Sequence, residues 1–172
     1  MTDPARGDEL APLVSLAQRI QGAMVERGLK LATAESCTGG LVGHAITEVA
    51  GSSDYYVGGI VSYSNELKEA ELGVDGATLE RHGAVSAQTA VAMAHGARRR
   101  YGADMAVSVT GIAGPAGGTD AKPVGLTYIA LADADGEVVR RFVWDADRHG
   151  NKLSSAQEAL TIVLERLDAP RG

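Results

Sequence analysis

A single cysteine, Cys37, is the only thiol in the chain, so no intramolecular disulfide can form and nothing points to an oxidising compartment. Basic residues are scarce: 16 Lys and Arg stand against 22 Asp and Glu, a formal net charge of −6. That balance argues against a dominant electrostatic grip on nucleic acid or on an anionic membrane. The four histidines, His44, His82, His95 and His149, lack H-x-x-x-H or Cys/His spacing, and no acidic loop resembles a calcium site, so no metal is expected. There is no run of about 20 apolar residues, and the acidic start (Asp3, Asp8, Glu9) is wrong for a secretory signal. A cytoplasmic protein without membrane segments is the expectation.

What remains is ordinary globular composition with one excess. The 172 residues are 45% hydrophobic and 22% charged, which suits a single domain with a full core. Glycine contributes 22 of the 172 residues, about 13% against an average near 7%. Such an excess points to places where backbone matters more than side chains.

Apolar spacing at Leu13, Leu16, Ala17, Ile20 and Met24 predicts a first helix, with Asp8 as a candidate N-cap and Gly28 as its stop. Lys30 to Ala34 is extended and runs through Glu35-Ser36-Cys37-Thr38-Gly39-Gly40 into a second helix over Leu41 to Val49. Tyr56 to Ser64 is a strand rich in β-branched and aromatic residues, and Asn65 is placed as the cap of a short helix. Ser86 opens a longer helix to Tyr101, whose end carries Arg98-Arg99-Arg100, the one run of three basic residues. Asp104 to Val109 is a strand. Thr110 to Pro123, with four glycines and two prolines, is expected to be loop throughout. Gly125 to Ala132 and Val138 to Trp144 form a hairpin, and Leu153 to Leu167 closes the chain as a helix. The sum, five strands and about five helices, predicts an α/β domain: a three-layer α/β/α sandwich with a five-stranded mixed sheet. It is expected over residues 8–168, with flexible tails at 1–7 and 169–172.

Ligands of open α/β sheets bind beyond the carboxyl ends of strands, and three segments leave such ends. Ser36 and Thr38 sit on a tight turn before a helix, where they either cap it or face an anion. Lys68 follows Tyr63 by about one helical turn and is either a surface lysine or a base. The third segment, T-G-I-A-G-P-A-G-G-T from Thr110 to Thr119 with Lys122 beyond, can turn successive N–H groups into one concavity, although it is no P-loop. Cys37 competes with Ser36 as nucleophile or is a small buried hydrophobe. A Ser-His-Asp triad lacks its G-x-S-x-G elbow, which leaves Ser36 with Lys68 as its base.

Five motifs resemble, in order, those of the CinA C-terminal domain family. They are A-E-S-C-T-G-G (Ala34 to Gly40), G-S-S (Gly51 to Ser53), Y-S-N-E-x-K (Tyr63 to Lys68), H-G-A-V-S (His82 to Ser86) and T-G-I-A-G-P-x-G-G-T-x-x-K-P-V-G (Thr110 to Gly125), within a resemblance spanning about Leu13 to Leu167. The resemblance implies a metal-independent, cofactor-free amidohydrolase, assembled as a homodimer or higher homo-oligomer. It hydrolyses the carboxamide of nicotinamide mononucleotide to nicotinate mononucleotide and ammonia in pyridine nucleotide recycling. It makes Ser36 the nucleophile and Tyr63 and Lys68 its activating partners. Thr38, Gly39, Gly40, Asn65, Thr110, Gly111, Gly114, Gly117, Gly118, Lys122 and Arg148 would surround the nucleotide. Longer relatives carry a further N-terminal domain, so a stand-alone form is expected. Where the family commonly reads G-D-R-x-x-[IV]-R, this chain reads Ala146-Asp147-Arg148-His149-Gly150-Asn151-Lys152. That departure keeps a second reading in play, a nucleotide-binding or regulatory module with weak turnover. A DNA-linked interaction domain has least support at this charge.

Overall fold

The computed structural model describes residues 9–170; Asp8, the expected tail 1–7, and residues 171–172 of the expected tail 169–172 lie outside the described residues. Its elements run α1 (Ala11–Arg27), β1 (Leu31–Glu35), α2 (Leu41–Thr47), a 3-10 turn (Ser52–Asp54), β2 (Tyr56–Val61), α3 (Asn65–Leu72), α4 (Gly76–His82) and α5 (Ala87–Tyr101). β3 (Met105–Gly111), β4 (Leu126–Asp133), β5 (Gly136–Val143) and α6 (Arg148–Asp168) complete the chain. The strands form one five-stranded sheet in the order β2-β1-β3-β4-β5. β1 is parallel to both β2 and β3, while β3, β4 and β5 are antiparallel neighbours. The expected mixed sheet is therefore present, and the β4–β5 hairpin supplies its antiparallel end.

The two faces of the sheet are coded by side-chain size. Leu31, Met105, Val107, Val109, Ile129 and Leu131 share a core with α1, α2 and α6. On the alternate positions stand Ala32, Ala34, Ala106, Ala130 and Ala132, against which α5 packs with Ala90, Ala94 and Ala97. Because successive strand residues point to opposite faces, a large/small alternation produces one thick layer and one close-packed layer. Ser108 completes the close face by donating to the Ala90 carbonyl at 2.6 Å. α3 and α4 lie outside the sheet against α5.

Several boundaries differ from expectation. Thr110 and Gly111 belong to β3, paired with Tyr128 and Thr127 of β4, because the antiparallel ladder carries two residues further than the glycine count implies. The glycine loop is thus residues 112–125. Ser64, not Asn65, caps α3, its hydroxyl accepting from Leu67 N at 3.2 Å; Asn65 is the first helical residue. α4, for which the sequence reading assigned no helix, is capped by Asp75 accepting from Ala77 N. α6 starts at Arg148 rather than Leu153: Asp147 caps it, and polar residues fill a first turn that apolar periodicity does not register. Arg98 to Arg100 sit in the last turn of α5, as expected, with Arg98 Nε donating to the Asp104 carbonyl at 3.0 Å. Among the described residues no helix is long and apolar enough to cross a membrane.

This topology positions the site. After β1 the chain passes to α2 on one face and returns as β2. After β2 it passes to α3, α4 and α5 on the other face and returns as β3, on the far side of β1. The two connections part at the carboxyl end of β1, where open α/β sheets leave a crevice. Ser36 is the first residue beyond it.

The closest helix approach gives a test of this packing. A Cβ built on Gly96 of α5 would stand 2.0 Å from the Leu72 carbonyl oxygen at the end of α3. Gly96→Ala should therefore destabilise the fold by about 1–3 kcal/mol, the usual cost of overpacking. A lowered urea midpoint with an unchanged slope would show it; a midpoint at or above that of the parent protein would refute the close α3–α5 contact.

Candidate active site

The turn after β1 is organised by Glu35, a residue to which sequence reading gave no role. Its carboxylate is 2% exposed and accepts four hydrogen bonds. Oε2 receives Thr38 Oγ1 (2.6 Å), Gly40 N (3.0 Å) and Val42 N (3.1 Å), and Oε1 receives Gly43 N (2.9 Å). The Val42 and Gly43 amides are unpaired donors of a helix start; with Leu41 N on the Thr38 carbonyl and His44 N on that of Gly40, the first α2 amides are saturated from within. Thr38 faces Glu35, and Gly40 contributes its amide to the same carboxylate. Gly39 and Gly40 both hold positive φ, at 64° and 97°, a conformation that side-chain-bearing residues rarely adopt. An acidic residue immediately before a Ser-x-Thr-Gly-Gly turn was the available sequence signal.

Elimination then singles out two amides. Ser36 N donates to the Val109 carbonyl, Gly39 N to that of Ser36 and Leu41 N to that of Thr38. Among the described residues, the N–H groups of Cys37 and Thr38 donate to no other residue. They are the two amides that follow Ser36 along the turn.

Ser36 and Lys68, 32 positions apart, meet in the interior. Lys68 Nζ is 3.2 Å from Ser36 Oγ, 2.7 Å from the Ser62 carbonyl oxygen and 3.4 Å from that of Tyr63. Ser36 is 8% exposed and Lys68 only 1%. Among the described residues no carboxylate lies within ion-pair distance of this ammonium. Burial pushes the Lys68 pKa down, opposed by the nearby Cys37 thiol. Its place in the first turn of α3, where the helix dipole disfavours a cation, acts in the same direction as burial. Cys37 differs: its thiol is buried in the main core and pushed up to about 12, chiefly by burial. A thiolate nucleophile needs the opposite shift.

The other residues singled out from the sequence divide into two groups. Tyr63 faces Lys68 with its backbone; its ring is 60% exposed, and its hydroxyl accepts from Arg148 Nη2 at 3.2 Å. Arg148 Nη1 donates to the Gly114 carbonyl at 2.7 Å, so Arg148 ties the glycine loop to the β2–α3 turn. Gly39 lies beside Lys152, whose Nζ would be 3.6 Å from a Cβ built there. The remaining positions either make contacts within the chain or stand at its surface. Thr110 Oγ1 donates to the Ala84 carbonyl (2.7 Å), and Lys122 Nζ to that of His82 (2.6 Å). A Cβ on Gly111 would meet the Leu126 carbonyl oxygen at 2.7 Å, and one on Gly118 would meet Val124 N at 2.7 Å. Gly117 turns at φ 92°, and Asn65 is exposed at the start of α3.

A cleft of about 660 Å³ is lined by Ala113, Pro115, Val124, Arg148, His149 and Lys152 among others; neither Ser36 nor Lys68 lines it, and it reaches their turn through Lys152, which stands by Gly39. Its size suits a ligand of mononucleotide dimensions. Another cavity, about 540 Å³, lies at the opposite strand ends by Leu29, Asp104 and Arg166, away from Ser36 and Lys68. Sequence reading also passed over Asn151, fully buried in α6. Its Nδ2 donates to the Ala113 carbonyl (3.0 Å) and its Oδ1 accepts from Ala146 N (3.2 Å), pinning α6 to the glycine loop.

Glu35→Gln tests the organisation of the turn. An amide NH₂ cannot accept where the carboxylate oxygen did, leaving buried donors unpaired at a cost of about 1–3 kcal/mol. Urea unfolding should report that loss; parent-like stability would mean the carboxylate is dispensable.

Comparison with known proteins agrees with this architecture. Residues 13–167 match the CinA C-terminal domain family. A CinA-like protein of Chlorobaculum tepidum is 49% identical over 159 residues, 90% of this chain and 38% of that protein. One from Geobacter sulfurreducens is 53% identical over 142 residues, 83% of this chain and 34% of that protein. The chain thus spans little more than a third of these relatives. Among solved structures, the competence/damage inducible protein CihA of Agrobacterium tumefaciens superposes with a TM-score of 0.87 at 44% identity, covering 92% of this chain and 97% of that one. The competence damage-inducible protein A of Klebsiella pneumoniae gives a TM-score of 0.89 at 33% identity, covering 92% and 99%. In sequence and in fold, the chain belongs to the CinA C-terminal domain family.

Proposed function

We propose that this domain hydrolyses the carboxamide of nicotinamide mononucleotide to nicotinate mononucleotide and ammonia, with Ser36 as nucleophile and Lys68 as general base. The observation that carries the reading is the contact of a fully buried, carboxylate-free lysine with the Ser36 hydroxyl at 3.2 Å. A neutral amine has two hydrogens and one lone pair. With its hydrogens on the Ser62 and Tyr63 carbonyls, the lone pair is left for the Ser36 hydroxyl proton.

The steps follow from these groups. Ser36 Oγ attacks the amide carbon as its proton passes to Lys68 Nζ, and the tetrahedral oxyanion is held by the N–H groups of Cys37 and Thr38. Lys68 returns the proton to the amide nitrogen, the C–N bond breaks and ammonia leaves. Water then attacks the acyl-serine, giving a proton to Lys68 that is passed back to Ser36 Oγ as the acid departs. Tyr63 contributes through its backbone carbonyl, and its hydroxyl steadies Arg148. The reading takes residues 8–168 as one catalytic domain acting without cofactor. We extend it to a cytoplasmic homodimer or larger homo-oligomer in pyridine nucleotide recycling, with no nucleic acid or membrane as partner.

Ammonia release from nicotinamide mononucleotide, compared with nicotinamide and its riboside, is the direct test; turnover of none would leave a binding module. Ser36→Ala should abolish release, and Cys37→Ala should keep most of it. The reverse pattern would transfer the nucleophile to Cys37.

The pH dependence follows from the direction of the lysine shift. A general base acts when deprotonated, so kcat/KM should rise with pH through an apparent pKa below the 10.5 of an unperturbed lysine and then level off. Lys68→Arg keeps the cation but not the base, and should lower kcat by roughly 100- to 10,000-fold. Near-normal turnover with an unchanged pH profile in that variant would reduce Lys68 to a charge contact.

A further inference from the structure

We propose that Asn151 is a positioning residue: it fixes the two walls of the cleft of about 660 Å³ against each other and thereby sets how tightly the site holds its substrate. The identity of that substrate rests on the amidase reading; the bridge itself rests on the contacts of one buried side chain.

One wall of the cleft comes from the glycine loop, with Ala113, Pro115 and Val124, and the other from Ala146 and the start of α6. Asn151 lines neither and is 1% exposed. Its side-chain amide nevertheless touches both. Nδ2 donates to the Ala113 carbonyl at 3.0 Å, and Oδ1 accepts from Ala146 N at 3.2 Å. A carbonyl only accepts and an N–H only donates, so the two contacts fix the orientation of the amide. Asn151 stands where the family commonly carries Ile or Val, side chains that can make neither bond.

Further contacts seat the bridge. Asn151 N donates to the Asp147 carbonyl at 2.9 Å. The Asn151 carbonyl accepts from Ser155 Oγ at 2.7 Å, and Ser155 Oγ accepts in turn from Trp144 Nε1 at 2.9 Å. Trp144 N donates to the Gly125 carbonyl at 3.0 Å and Gly125 N to that of Ile112 at 2.8 Å, which returns the chain of bonds to the neck of the glycine loop. Gly150 leaves room for the approach, since a Cβ there would come 2.8 Å from that of Ala146. Arg148 also reaches the loop, at the Gly114 carbonyl, but it does so from the lining of the cleft; Asn151 is the tie beneath, out of reach of a ligand. Without the bridge a buried carbonyl and a part-buried N–H lose their partners and the walls are free to separate, an ordering cost that falls on the ligand when it binds. Ser36 and Lys68 line no part of the cleft, so the chemical step is little affected.

The test is steady-state ammonia release from nicotinamide mononucleotide by the parent protein, Asn151→Leu and Asn151→Asp, read beside amide hydrogen exchange of the ligand-free proteins. Asn151→Leu keeps the volume and removes both bonds; Asn151→Asp keeps an acceptor for Ala146 N but no donor for the Ala113 carbonyl. KM should rise roughly five- to hundredfold in Asn151→Leu, the weight of hydrogen bonds left unmade, with a much smaller change in kcat. Exchange should quicken along residues 112–125 in both variants, and at the Ala146 amide in Asn151→Leu. The emission of Trp144, the only tryptophan of the chain, should stay as in the parent, because Ser155 bonds the backbone of residue 151 and not its side chain. If Trp144 emission shows Asn151→Leu to be unfolded, KM and loop exchange in Asn151→Asp decide instead. A parent-like KM, a loss confined to kcat, or unchanged exchange along the loop would each overturn the proposal. Should the parent protein release no ammonia, the amidase reading falls and exchange alone decides the bridge: faster exchange keeps it, and parent-like exchange sinks it.

Discussion

The carboxylate of Glu35 is the interaction on which the site depends. It ends β1, starts α2 and holds the intervening turn by four hydrogen bonds from Thr38, Gly40, Val42 and Gly43. With those donors satisfied internally, the helix start is not an anion site. Among the described residues, the amides left without another residue to donate to are those of Cys37 and Thr38, the two that follow Ser36. A buried carboxylate is tolerated because every contact it makes is with a donor. Its oxygens are occupied by donors of the turn that carries Ser36, and among the described residues no carboxylate pairs with Lys68.

Around this turn the fold gives its cations different surroundings. Lys68 enters from the α3 side and is stripped of water and of acidic partners, which favours the neutral amine. Arg148 enters from α6 and braces the glycine loop against the β2–α3 turn. Lys152, one helical turn further along α6, lines the cleft and makes no ion pair among the described residues. Side chains with different surroundings alternate over short stretches of chain: Ser36 next to a core cysteine, Arg148 next to a histidine paired with Glu9. That alternation follows from geometry, since neighbouring side chains on a turn or helix point in different directions.

The sheet beneath is set by size alternation. Large residues on one pleat face and alanines on the other decide which helices stand off and which approach closely. α5 comes close enough that Ser108 reaches the Ala90 carbonyl and Gly96 has no room for a methyl group beside Leu72. The crevice beyond β1 exists because the helices after β1 and those after β2 lie on opposite faces.

Local pattern was enough for α1, α5 and the five strands, because apolar periodicity and the Asp133-to-Glu137 turn chemistry act over a few neighbours. It was also enough to set Ser36 on a turn between a strand and a helix, and to match five motifs to a family. It failed where polar residues start a helix, as at Arg148 to Lys152, and where pairing with a distant strand outweighs glycine content, as at Thr110 and Gly111. What the sequence by itself determined was which segments fold into what, and which residue types stand at strand ends. Only the tertiary structure decided that Lys68 is buried against Ser36, that Glu35 occupies the α2 amides, that Thr110 and Lys122 donate to carbonyls, and that Lys152 has no ion pair among the described residues. Burial, hydrogen-bond competition and charge pairing are properties of space, and residues 32 or 100 positions apart acquire them only when the chain has brought them together.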